Sequence, residues 1–350
     1  MKVAITGASG FLGSHCVAKA VEKGHLVRVL VRDPEKMTAA LEMHGIKKDL
    51  VEIVYADLAD ERSLDSGLEG VDTLLHTAAI FSLSPLDAKS MISINPSSTK
   101  TLLTSAVKHE LKQTVYVSTM GVFAPISGGD INENTETSTG LGPYTKSKIE
   151  SEKIARDFQH GGAPVNIVYP GGIFGPKDPN PNLSDSMGML TEILKRNLGL
   201  TASSAKLAMV DVRDVADVCV GALEVESKNA RYHAWGELVT MDQVIDLVKK
   251  ITDRNIRFYS TPLFLLDAMG TFGEVFTLAT RIRLPFAKES MKMFTQNARV
   301  NGPGKIDQSR ANNDFGFQSI SLEESLRDAL LWLHQAGHLT DKQSGKLANI

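Results

Sequence analysis

The chain has 350 residues, of which 42% are hydrophobic and 23% are charged, and its formal net charge is −3. This ordinary globular composition supplies a substantial core for one large domain or two smaller ones. The small net charge, without a long basic run, argues against nucleic acid or an anionic membrane as the main partner. Two cysteines without metal spacing argue against a disulfide framework and a metal site.

The N-terminal sequence MKVAITGASG becomes glycine-rich too early for the apolar region of a signal peptide, so we expect a cytoplasmic protein. Both cysteines, Cys16 and Cys219, lie in apolar helical patterns. We therefore expect each of them to pack in the core and to carry no chemistry.

The first half of the chain alternates short β-branched runs with segments of helical length. Strands are predicted at 2–6, 26–31, 51–56, 72–78, 114–118 and 165–170. Helices are predicted between them, among others up to Lys23 and at 91–109 and 144–159. Strands that alternate with helices predict a mostly parallel sheet covered on both faces, with ligands beyond the carboxyl ends of its strands.

The first predicted strand runs directly into TGASGFLG, in which Gly7, Gly10 and Gly13 are spaced G-x-x-G-x-x-G. Gly7 suits a tight turn, Gly10 lets the backbone approach a pyrophosphate, and Gly13 lets the helix pack closely on the strand. The following helix N-terminus offers free N–H groups to an anion. A glycine turn without a ligand is the alternative, which the position between a strand and a helix disfavours.

The second predicted strand ends in VLVRDP, where an acidic residue would suit the ribose of NAD and an arginine the extra phosphate of NADP. Arg32 occupies this place, and Lys36 follows one helical turn later. Asp33 could itself bind a ribose, so NADP(H) is favoured and NAD(H) stays open.

The third and fourth predicted strands end in YADL and HTAA. Asp57 either binds the adenine amino group or caps the next helix, and the sequence leaves both open. Ala78 and Ala79 leave room for a dinucleotide across the sheet edge, and His76 is predicted to be a structural histidine.

The alternation becomes irregular after about residue 175. Capping boxes are predicted at Thr240 with Gln243 and at Ser321 with Glu324, each before an amphipathic helix. The segment 262–285 is the most apolar long stretch, but charges and glycines interrupt it. We expect it to cover a core or the mouth of a pocket, without stable membrane insertion.

The ordered set of motifs resembles the extended short-chain dehydrogenase/reductase family. These motifs are TGASGFLG, DL at 57–58, HTAA, VST at 117–119, YTKSK at 144–148 and YPGGIFGP at 169–176. VRDP, VDVRDVAD at 210–217 and the later IDQSRANNDFGFQ point to its dihydroflavonol reductase, aldehyde reductase and 3β-hydroxysteroid dehydrogenase branch. The likeness spans nearly the whole chain.

The resemblance implies an α/β fold, a Rossmann-type doubly wound parallel sheet with a smaller, mostly helical C-terminal substrate lobe. Residues 1–175 would form the dinucleotide-binding domain, with 205–225 returning to it. Residues 176–204 and 226–340 would form the lobe, and 341–350 a tail. Relatives often dimerise through helices equivalent to 91–109 and 144–159, so the resemblance also admits a homodimer.

The resemblance assigns chemistry to Tyr144 and Lys148, which share one helix face at i and i+4. In the family, the tyrosine protonates a carbonyl oxygen while nicotinamide delivers hydride to its carbon. A nearby lysine cation brings the phenol pKa toward the working range. Thr119 is predicted to supply the third catalytic hydroxyl, with Ser118 as the fallback.

The cofactor is expected to contact residues from the glycine loop, the strand ends, the catalytic helix and the YPGGIFG segment. These residues are Gly7, Ser9, Gly10, Phe11, Leu12, Arg32, Lys36, Asp57, Leu58, Thr77, Ala78, Ala79, Tyr144, Lys148, Tyr169, Pro170, Gly171 and Ile173. Two positions depart from the family: Ser98 replaces a glycine in NPSST, where Asn95 would align the helix or a water, and Tyr169 replaces an arginine. A plain glycine turn is the alternative for PGGIFG.

The substrate pocket is expected to draw on 80–90, 175–200 and the apolar segment. Candidate lining residues are Phe81, Leu83, Phe174, Met187, Phe264 and Phe272, with Arg213 as a polar contact. Their character favours an apolar or aromatic carbonyl compound, although each phenylalanine could belong to the core. Arg213 could instead pair with Asp211 or Asp214.

These residues favour an NADPH-dependent carbonyl reductase that also works reversibly as an alcohol dehydrogenase. The alternative on the same scaffold is an NAD-retaining sugar-nucleotide epimerase or a dehydratase. Dehydratases of the family need an acid pair beside the catalytic threonine, where this chain has Met120 and Gly121. A non-catalytic dinucleotide-binding regulator is a third option, but such relatives typically lose the Tyr-Lys pair.

Overall fold

The structure is a computed structural model that describes residues 1–125, 129–202, 205–225, 229–284, 287–300 and 302–350. The predicted lobe boundaries at residues 204 and 226 lie outside the described residues. So does Pro285, the last residue of the predicted apolar segment.

A large sheet of seven strands forms the centre of the first part of the chain. Its strands are β1 (Lys2–Thr6), β2 (Leu26–Val31), β3 (Val51–Tyr55), β4 (Thr73–His76), β5 (Gln113–Val117), β6 (Val165–Pro170) and β10 (Arg231–Ala234). All neighbours are parallel, in the order β10-β6-β5-β4-β1-β2-β3. The strand order reverses between β1 and β4, which is where such sheets bind ligands.

Helices cover both faces of this sheet, so the predicted doubly wound fold is confirmed. One face carries α1 (Phe11–Glu22), α2 (Pro34–His44) and α7 (Val212–Glu224), and the other carries α3 (Glu61–Gly67), α4 (Ala88–Lys108) and α5 (Pro143–His160). Cys16 of α1 and Cys219 of α7 are buried in one hydrophobic cluster between these helices and the sheet. Both cysteines are therefore core residues, as predicted.

The remaining elements build a second, smaller part of the molecule. Its strands are β7 (Gly172–Phe174), β8 (Leu198–Thr201), β9 (Lys206–Asp211), β11 (Glu237–Thr240) and β12 (Arg257–Ser260). Its helices are α6 (Asp185–Arg196), α8 (Met241–Thr252), α9 (Leu263–Thr280), α10 (Lys288–Arg299), α12 (Leu322–Gln335) and α13 (Asp341–Ser344). Helix α11 (Ser309–Phe315) packs instead on α7 and β10 of the large sheet. β9 lies between antiparallel β11 and parallel β7, and β8 pairs with β12.

The predicted division into domains stays a prediction as a whole, but three parts of the chain do not follow it. Residues 309–315 of the predicted lobe form α11, which packs on the large sheet. Residues 231–234 were assigned to the lobe, whereas β10 pairs with β6 as the seventh strand and buries Tyr232 and His233. Residues 341–350 were predicted to be a tail. They form α13 and a 3-10 turn whose Leu347 is buried in the same cluster as α8 and α12.

The two predicted helix starts in the lobe are present. Thr240 and Gln243 form a reciprocal capping box at α8. The Ser321 hydroxyl accepts a hydrogen bond from the Glu324 backbone N–H at α12. Both pairs satisfy backbone donors that a helix N-terminus otherwise leaves unpaired.

Helix α9 has 18 residues and a mean hydropathy of 1.3 and, by length and composition, is the one helix among the described residues that could cross a membrane. Only 22% of it is buried, and its buried face consists of Leu266 and the small residues Gly270, Gly273 and Thr277. Its two acidic residues are paired with α10, Asp267 with Arg299 and Glu274 with Lys288. The absence of stable membrane insertion stays a prediction.

Candidate functional site

The glycine loop after β1 has the close contacts that its spacing predicted. Gly7 adopts a φ of +70°, and a Cβ there would lie 2.6 Å from Thr77 Oγ1. A Cβ at Gly13 would lie 2.1 Å from the Gly7 carbonyl oxygen. The N-cap residue of α1, Gly10, makes no side-chain cap. The first N–H groups of α1 are therefore not capped by a side chain and suit an anion.

The two residues that could select the cofactor, Arg32 and Asp33, follow β2 and differ in their contacts. The Asp33 carboxylate accepts a hydrogen bond from the Lys36 backbone N–H at 3.0 Å and so caps α2. Arg32 is exposed and, within the described ranges, has no hydrogen bond or ion pair. The carboxylate thus has a structural partner, whereas the guanidinium is free to meet a phosphate.

The residues after β3 and β4 take different roles. The Asp57 side chain accepts from the Ala59 N–H, while Asp60 caps α3, so the alternative that Asp57 caps this helix is wrong. His76 is buried between the hydroxyls of Thr6, at 2.8 Å, and Thr99, at 3.3 Å. Burial, with a smaller contribution from Lys148, lowers the pKa of His76 to about 3. His76 is therefore a satisfied neutral histidine, as predicted.

Tyr144 and Lys148 lie on the inward face of α5, one turn apart, beside the end of β5. Burial raises the pKa of Tyr144 to about 12, and a hydrogen bond with the Thr119 side chain acts in the opposite direction. The structure thus brings together the three predicted catalytic residues. The phenol is therefore protonated at neutral pH and can donate a proton.

Lys148 is only 3% exposed, and its ammonium donates to the Val117 carbonyl at 2.8 Å. It also lies 4.5 Å from the centre of the Tyr116 ring. Burial lowers the pKa of Lys148 to about 8, while the charge of Glu152, one turn further on α5, opposes this shift. Tyr116 and Glu152 are two neighbours of Lys148 that were not predicted from the sequence.

The two candidate hydroxyls face different neighbours. Thr119 is half-buried, contacts Tyr144, and also accepts from the Gly121 N–H at 3.2 Å. Ser118 is buried beside Tyr116. Burial raises the pKa of Tyr116 well above its usual value, and the Ser118 hydroxyl acts to lower that pKa. The geometry therefore favours Thr119 over the fallback, Ser118, as the neighbour of the phenol.

Asn95 holds the loop after β4 against α5. Its side chain accepts from the Ile80 N–H at 2.8 Å and donates to the Ile80 carbonyl at 3.0 Å and to Ser147 Oγ at 3.1 Å. Ser98, which replaces the family's glycine, is buried and donates to the Asn95 carbonyl at 3.1 Å. Asn95 thus aligns the catalytic helix with the loop that follows β4.

The segment after β6 is not a plain glycine turn, because residues 172–174 form β7. A Cβ at Gly171 would lie 2.6 Å from the Trp235 carbonyl oxygen, so close packing requires this glycine. The Tyr169 phenol turns into the core and donates to Glu152. Only the backbone of Tyr169 is thus left to meet a cofactor.

The predicted substrate residues are scattered. Phe81 is 51% exposed and packs edge-on against Tyr144, with ring centres 4.7 Å apart, and Leu83 lies half-buried in the same loop. Phe174 and Met187 are fully buried in the lobe core, so neither has an exposed surface to offer a substrate in this structure, and their place in the pocket lining stays a prediction. Their apolar character reflects packing.

Three further predicted contacts also lie away from the phenol. Phe264 and Phe272 are 74% and 62% exposed on the outer face of α9. Arg213 donates to both Asp211 oxygens and to Asp328, at 2.7–2.9 Å. Three donors of Arg213 thus have carboxylate partners, which agrees with the alternative that Arg213 pairs with Asp211. These contacts do not support a role of Arg213 in substrate binding.

Two acidic residues near Tyr144 come from the lobe and were missed. Glu289 of α10 accepts hydrogen bonds from the Tyr144 N–H at 3.0 Å and the Thr145 N–H at 2.8 Å. Asp185, at the start of α6, acts with Glu289 to raise the Tyr144 pKa. Neither position carries a local sequence signal. No group of three potential metal ligands occurs in the part of the chain that the structure describes.

Comparison with protein families gives one match that covers most of the chain. The model of the NAD dependent epimerase/dehydratase family matches residues 3–235, from β1 through β10. This range includes the glycine loop and all three residues brought together at the phenol.

Curated proteins of similar length match nearly end to end. The chain is 27% identical to sterol demethylase protein B of Methylococcus capsulatus, over 96% of this chain and 99% of that protein. It is 26% identical to a putative dihydroflavonol 4-reductase of Synechocystis sp., over 96% and 95%. It is 28% identical to cinnamoyl-CoA reductase 1 of Arabidopsis thaliana, over 96% and 90%.

Solved structures show the same fold at lower identity. The crystal structure of gox2253 aligns with a TM-score of 0.76 at 24% identity, over 97% of this chain and 99% of that one. The UDP-glucose 4-epimerase from Bifidobacterium longum, in complex with NAD+ and UDP, aligns with a TM-score of 0.73 at 18% identity, over 97% and 99%. These two likenesses show the fold alone.

Proposed function

Because the chain belongs to the NAD dependent epimerase/dehydratase family, we propose that it is an NADPH-dependent reductase of aldehydes or ketones that works reversibly as an alcohol dehydrogenase. The resemblance to extended short-chain dehydrogenases/reductases is confirmed by this family and by the curated relatives. The protein is an NAD(P)-dependent enzyme that acts on alcohol and carbonyl groups. The reductase activity, the cofactor and the substrate class are the proposal.

One observation carries this proposal: Thr119, Tyr144 and Lys148 meet at the end of β5. The Thr119 side chain lies close enough to the Tyr144 phenol to lower its pKa, and Lys148 lies one turn away on the same helix face. An acid, a hydrogen-bond donor and a fixed cation are the groups that carbonyl reduction needs around the substrate oxygen.

The residues present fit a dinucleotide. Gly7 and Gly13 keep the turn after β1 free of side chains, and the N-terminus of α1 lacks a side-chain cap. These features would hold the pyrophosphate, and Arg32, with Lys36, would hold the extra phosphate of NADPH. When bound, the nicotinamide would exchange hydride with the substrate carbon.

The chain's own residues account for the proton. In reduction, the Tyr144 phenol donates its proton to the substrate oxygen, and the Thr119 hydroxyl donates a hydrogen bond to the same oxygen. The Lys148 ammonium stabilises the phenolate that remains. In alcohol oxidation the phenolate accepts the hydroxyl proton, so the same three residues serve both directions.

The substrate is proposed to be an apolar or aromatic carbonyl compound. Phe81 offers an exposed ring directly beside the Tyr144 phenol. Two of the curated relatives carry names that refer to aromatic substrates, a dihydroflavonol and a cinnamoyl thioester. If the aromatic ring of such a substrate stacks on Phe81, the carbonyl group of the substrate would lie toward the Tyr144 phenol.

A sugar-nucleotide epimerase-type enzyme is the second candidate, because the family includes epimerases and dehydratases. Such enzymes keep tightly bound NAD and usually carry an acidic residue in the place of Arg32. This chain also lacks a carboxylate directly after Thr119, where Met120 and Gly121 follow. We therefore favour the reductase.

The test is NADPH oxidation over a panel of aldehydes, ketones and steroid ketones, with NADH in parallel and Tyr144→Phe as the control. We expect turnover that prefers NADPH and falls by about 100-fold or more in the variant, because the proton donor is lost. If no substrate is turned over and the purified protein already contains bound NAD, the reductase proposal is wrong and the epimerase-type function takes its place.

A further inference from the structure

We propose that Glu289 of α10 is a positioning residue that holds the first turn of the catalytic helix α5, and with it Tyr144, from the lobe. This role depends on the proposed function only where it predicts an effect on turnover. The two carboxylate oxygens of Glu289 accept three hydrogen bonds, from Tyr144 N–H at 3.0 Å, Thr145 N–H at 2.8 Å and Thr145 Oγ1 at 2.8 Å. The side chain is 3% exposed.

Helix α5 needs this partner because its own N-cap residue has no side chain to offer. Gly142 occupies the N-cap position, and the Thr145 hydroxyl is already shared with the Leu141 and Gly142 N–H groups at 2.8 and 3.0 Å. The first N–H groups of a helix are unpaired and lie at the positive end of its dipole. A carboxylate from another element therefore replaces the missing cap.

The backbone is shaped to admit this carboxylate. A Cβ on Gly142 would lie 2.5 Å from the Glu289 carboxyl carbon. The φ of Gly142 is −167°, which any residue can adopt, so the glycine is required by the contact and not by its conformation. The sequence GPYTK thus combines a glycine that leaves room with the tyrosine that is being placed.

The helical hairpin formed by α9 and α10, which carries Glu289, also holds the loop on the other side of the Tyr144 phenol. Arg283, between α9 and α10, donates to both oxygens of Asp87 at 2.8 and 3.0 Å. Asp87 ends the 3-10 turn of the loop that carries Phe81, whose ring packs on Tyr144. Glu289 and Arg283 therefore tie the lobe hairpin α9–α10 to both elements that flank the phenol.

The contact has an electrostatic consequence that a purely structural contact would not have. The Glu289 charge helps to raise the pKa of Tyr144, after burial, and Asp185 of α6 acts in the same direction. Thr119 opposes them, and Lys148 is the cation on the same helix face. Removal of the Glu289 charge therefore lowers the Tyr144 pKa while the helix turn loses its anchor.

The test compares Glu289→Gln with Glu274→Gln, a variant in the same hairpin whose glutamate pairs with Lys288 at 2.8 Å and for which no contact with α5 is present among the described residues. Tyrosinate formation is followed by ultraviolet absorbance on the protein without cofactor, with Tyr144→Phe as the blank. We expect the Tyr144 titration to move to lower pH in Glu289→Gln and to stay in place in Glu274→Gln.

Turnover is the second measurement. In Glu289→Gln, kcat is expected to fall about 10-fold or more with the KM for NADPH unchanged, because a displaced donor weakens the chemical step and not cofactor binding. The rate of alcohol oxidation is expected to reach its plateau at lower pH than in the unmodified protein. Glu274→Gln is expected to keep both properties.

A second variant covers the case in which Glu289→Gln does not fold. Gly142→Ala leaves Glu289 in the chain but pushes its carboxylate away from α5. As in Glu289→Gln, we expect kcat to fall and the titration of Tyr144 to move to lower pH. A folded Glu289→Gln or Gly142→Ala protein with unchanged tyrosine titration and kcat would overturn the proposal. Because the titration needs no turnover, a protein that reduces no carbonyl compound but shows the shift would retain this role and lose the proposed function.

Discussion

A lysine whose charge changes near neutral pH is the residue on which the proposed chemistry most depends. Lys148 is almost fully buried, donates to the Val117 carbonyl and lies over the Tyr116 ring. Burial lowers its pKa to about 8, while Glu152 limits the shift. The ammonium is therefore largely present at pH 7 and largely lost about one or two pH units above 8.

The proposed reduction should lose rate as the pH rises through about 8, because the cation that stabilises the Tyr144 phenolate is deprotonated. Under saturating NADPH we expect kcat/KM to be constant below about pH 7 and to fall toward about tenfold per pH unit above 8. In Lys148→Arg the guanidinium does not titrate in this range. That variant should be slower but without the decline, and the same slope in both proteins would assign the pH dependence to another group.

At the scale of single elements, the α9–α10 hairpin shows what a contact between helices can require. A Cβ on Gly270 of α9 would lie 3.0 Å from Met291 Cβ and 3.1 Å from Lys288 Cα on α10. Lys288 directly precedes Glu289, the residue that holds α5. The separation of these two helices is therefore linked to the position of the catalytic helix.

Gly270→Ala should destabilise the protein, although alanine normally favours a helix by about 0.5–1 kcal/mol over glycine. The new methyl group is expected to force the helices apart at a net cost of about 1–3 kcal/mol in the free energy of unfolding, and to lower kcat by displacing Glu289. The matched control is Gly188→Ala in α6, where a Cβ would meet nothing within 4 Å. Denaturant unfolding should show stabilisation in the control, and equal stabilisation of both variants would contradict the close packing.

Local sequence predicted those elements and residues whose signal is local. The bounds of β1, β2 and β6 follow from β-branched runs between glycines, prolines and helix starts, and the predicted ranges agree with the structure. The Tyr144–Lys148 pair was predictable because helical spacing alone puts both on one face. Glu289 was not, because its partners lie 144 and 145 positions away. The burial of Phe174 and Met187 in the lobe core was not predictable either, because an apolar pocket and an apolar core have the same sequence character.

The whole molecule places the candidate site between two parts that the chain visits more than once. After the lobe elements α6 and β8, the chain returns to the large sheet with α7 and β10. Tyr144 of α5 is then contacted by Phe81 from the sheet side and by Glu289 from the lobe. The homodimer through α4 and α5 stays a prediction. The exposed large apolar side chains on these two helices are Ile92 and Val107 of α4.

A cofactor that spans the edge of the large sheet should stabilise the molecule as a whole, because it binds the folded state and not the unfolded chain. At about 100 times its dissociation constant NADPH should add about 2.7 kcal/mol, which corresponds to a rise of about 4 °C in Tm for a chain of 350 residues that unfolds cooperatively. NADH at the same concentration should give a smaller rise, because Arg32 then has no phosphate to bind.

The matched comparison for this last effect is Arg32→Ala against Arg327→Ala, in which an exposed arginine of α12 is removed from the lobe surface. Thermal unfolding of Arg32→Ala should show similar shifts with NADPH and NADH, since the phosphate loses a charge-assisted pair worth about 1.5–3 kcal/mol. Arg327→Ala should keep the difference between the two cofactors. If the unmodified protein responds to neither cofactor and releases NAD on denaturation, the site already holds its cofactor, which is the behaviour of the epimerase-type alternative.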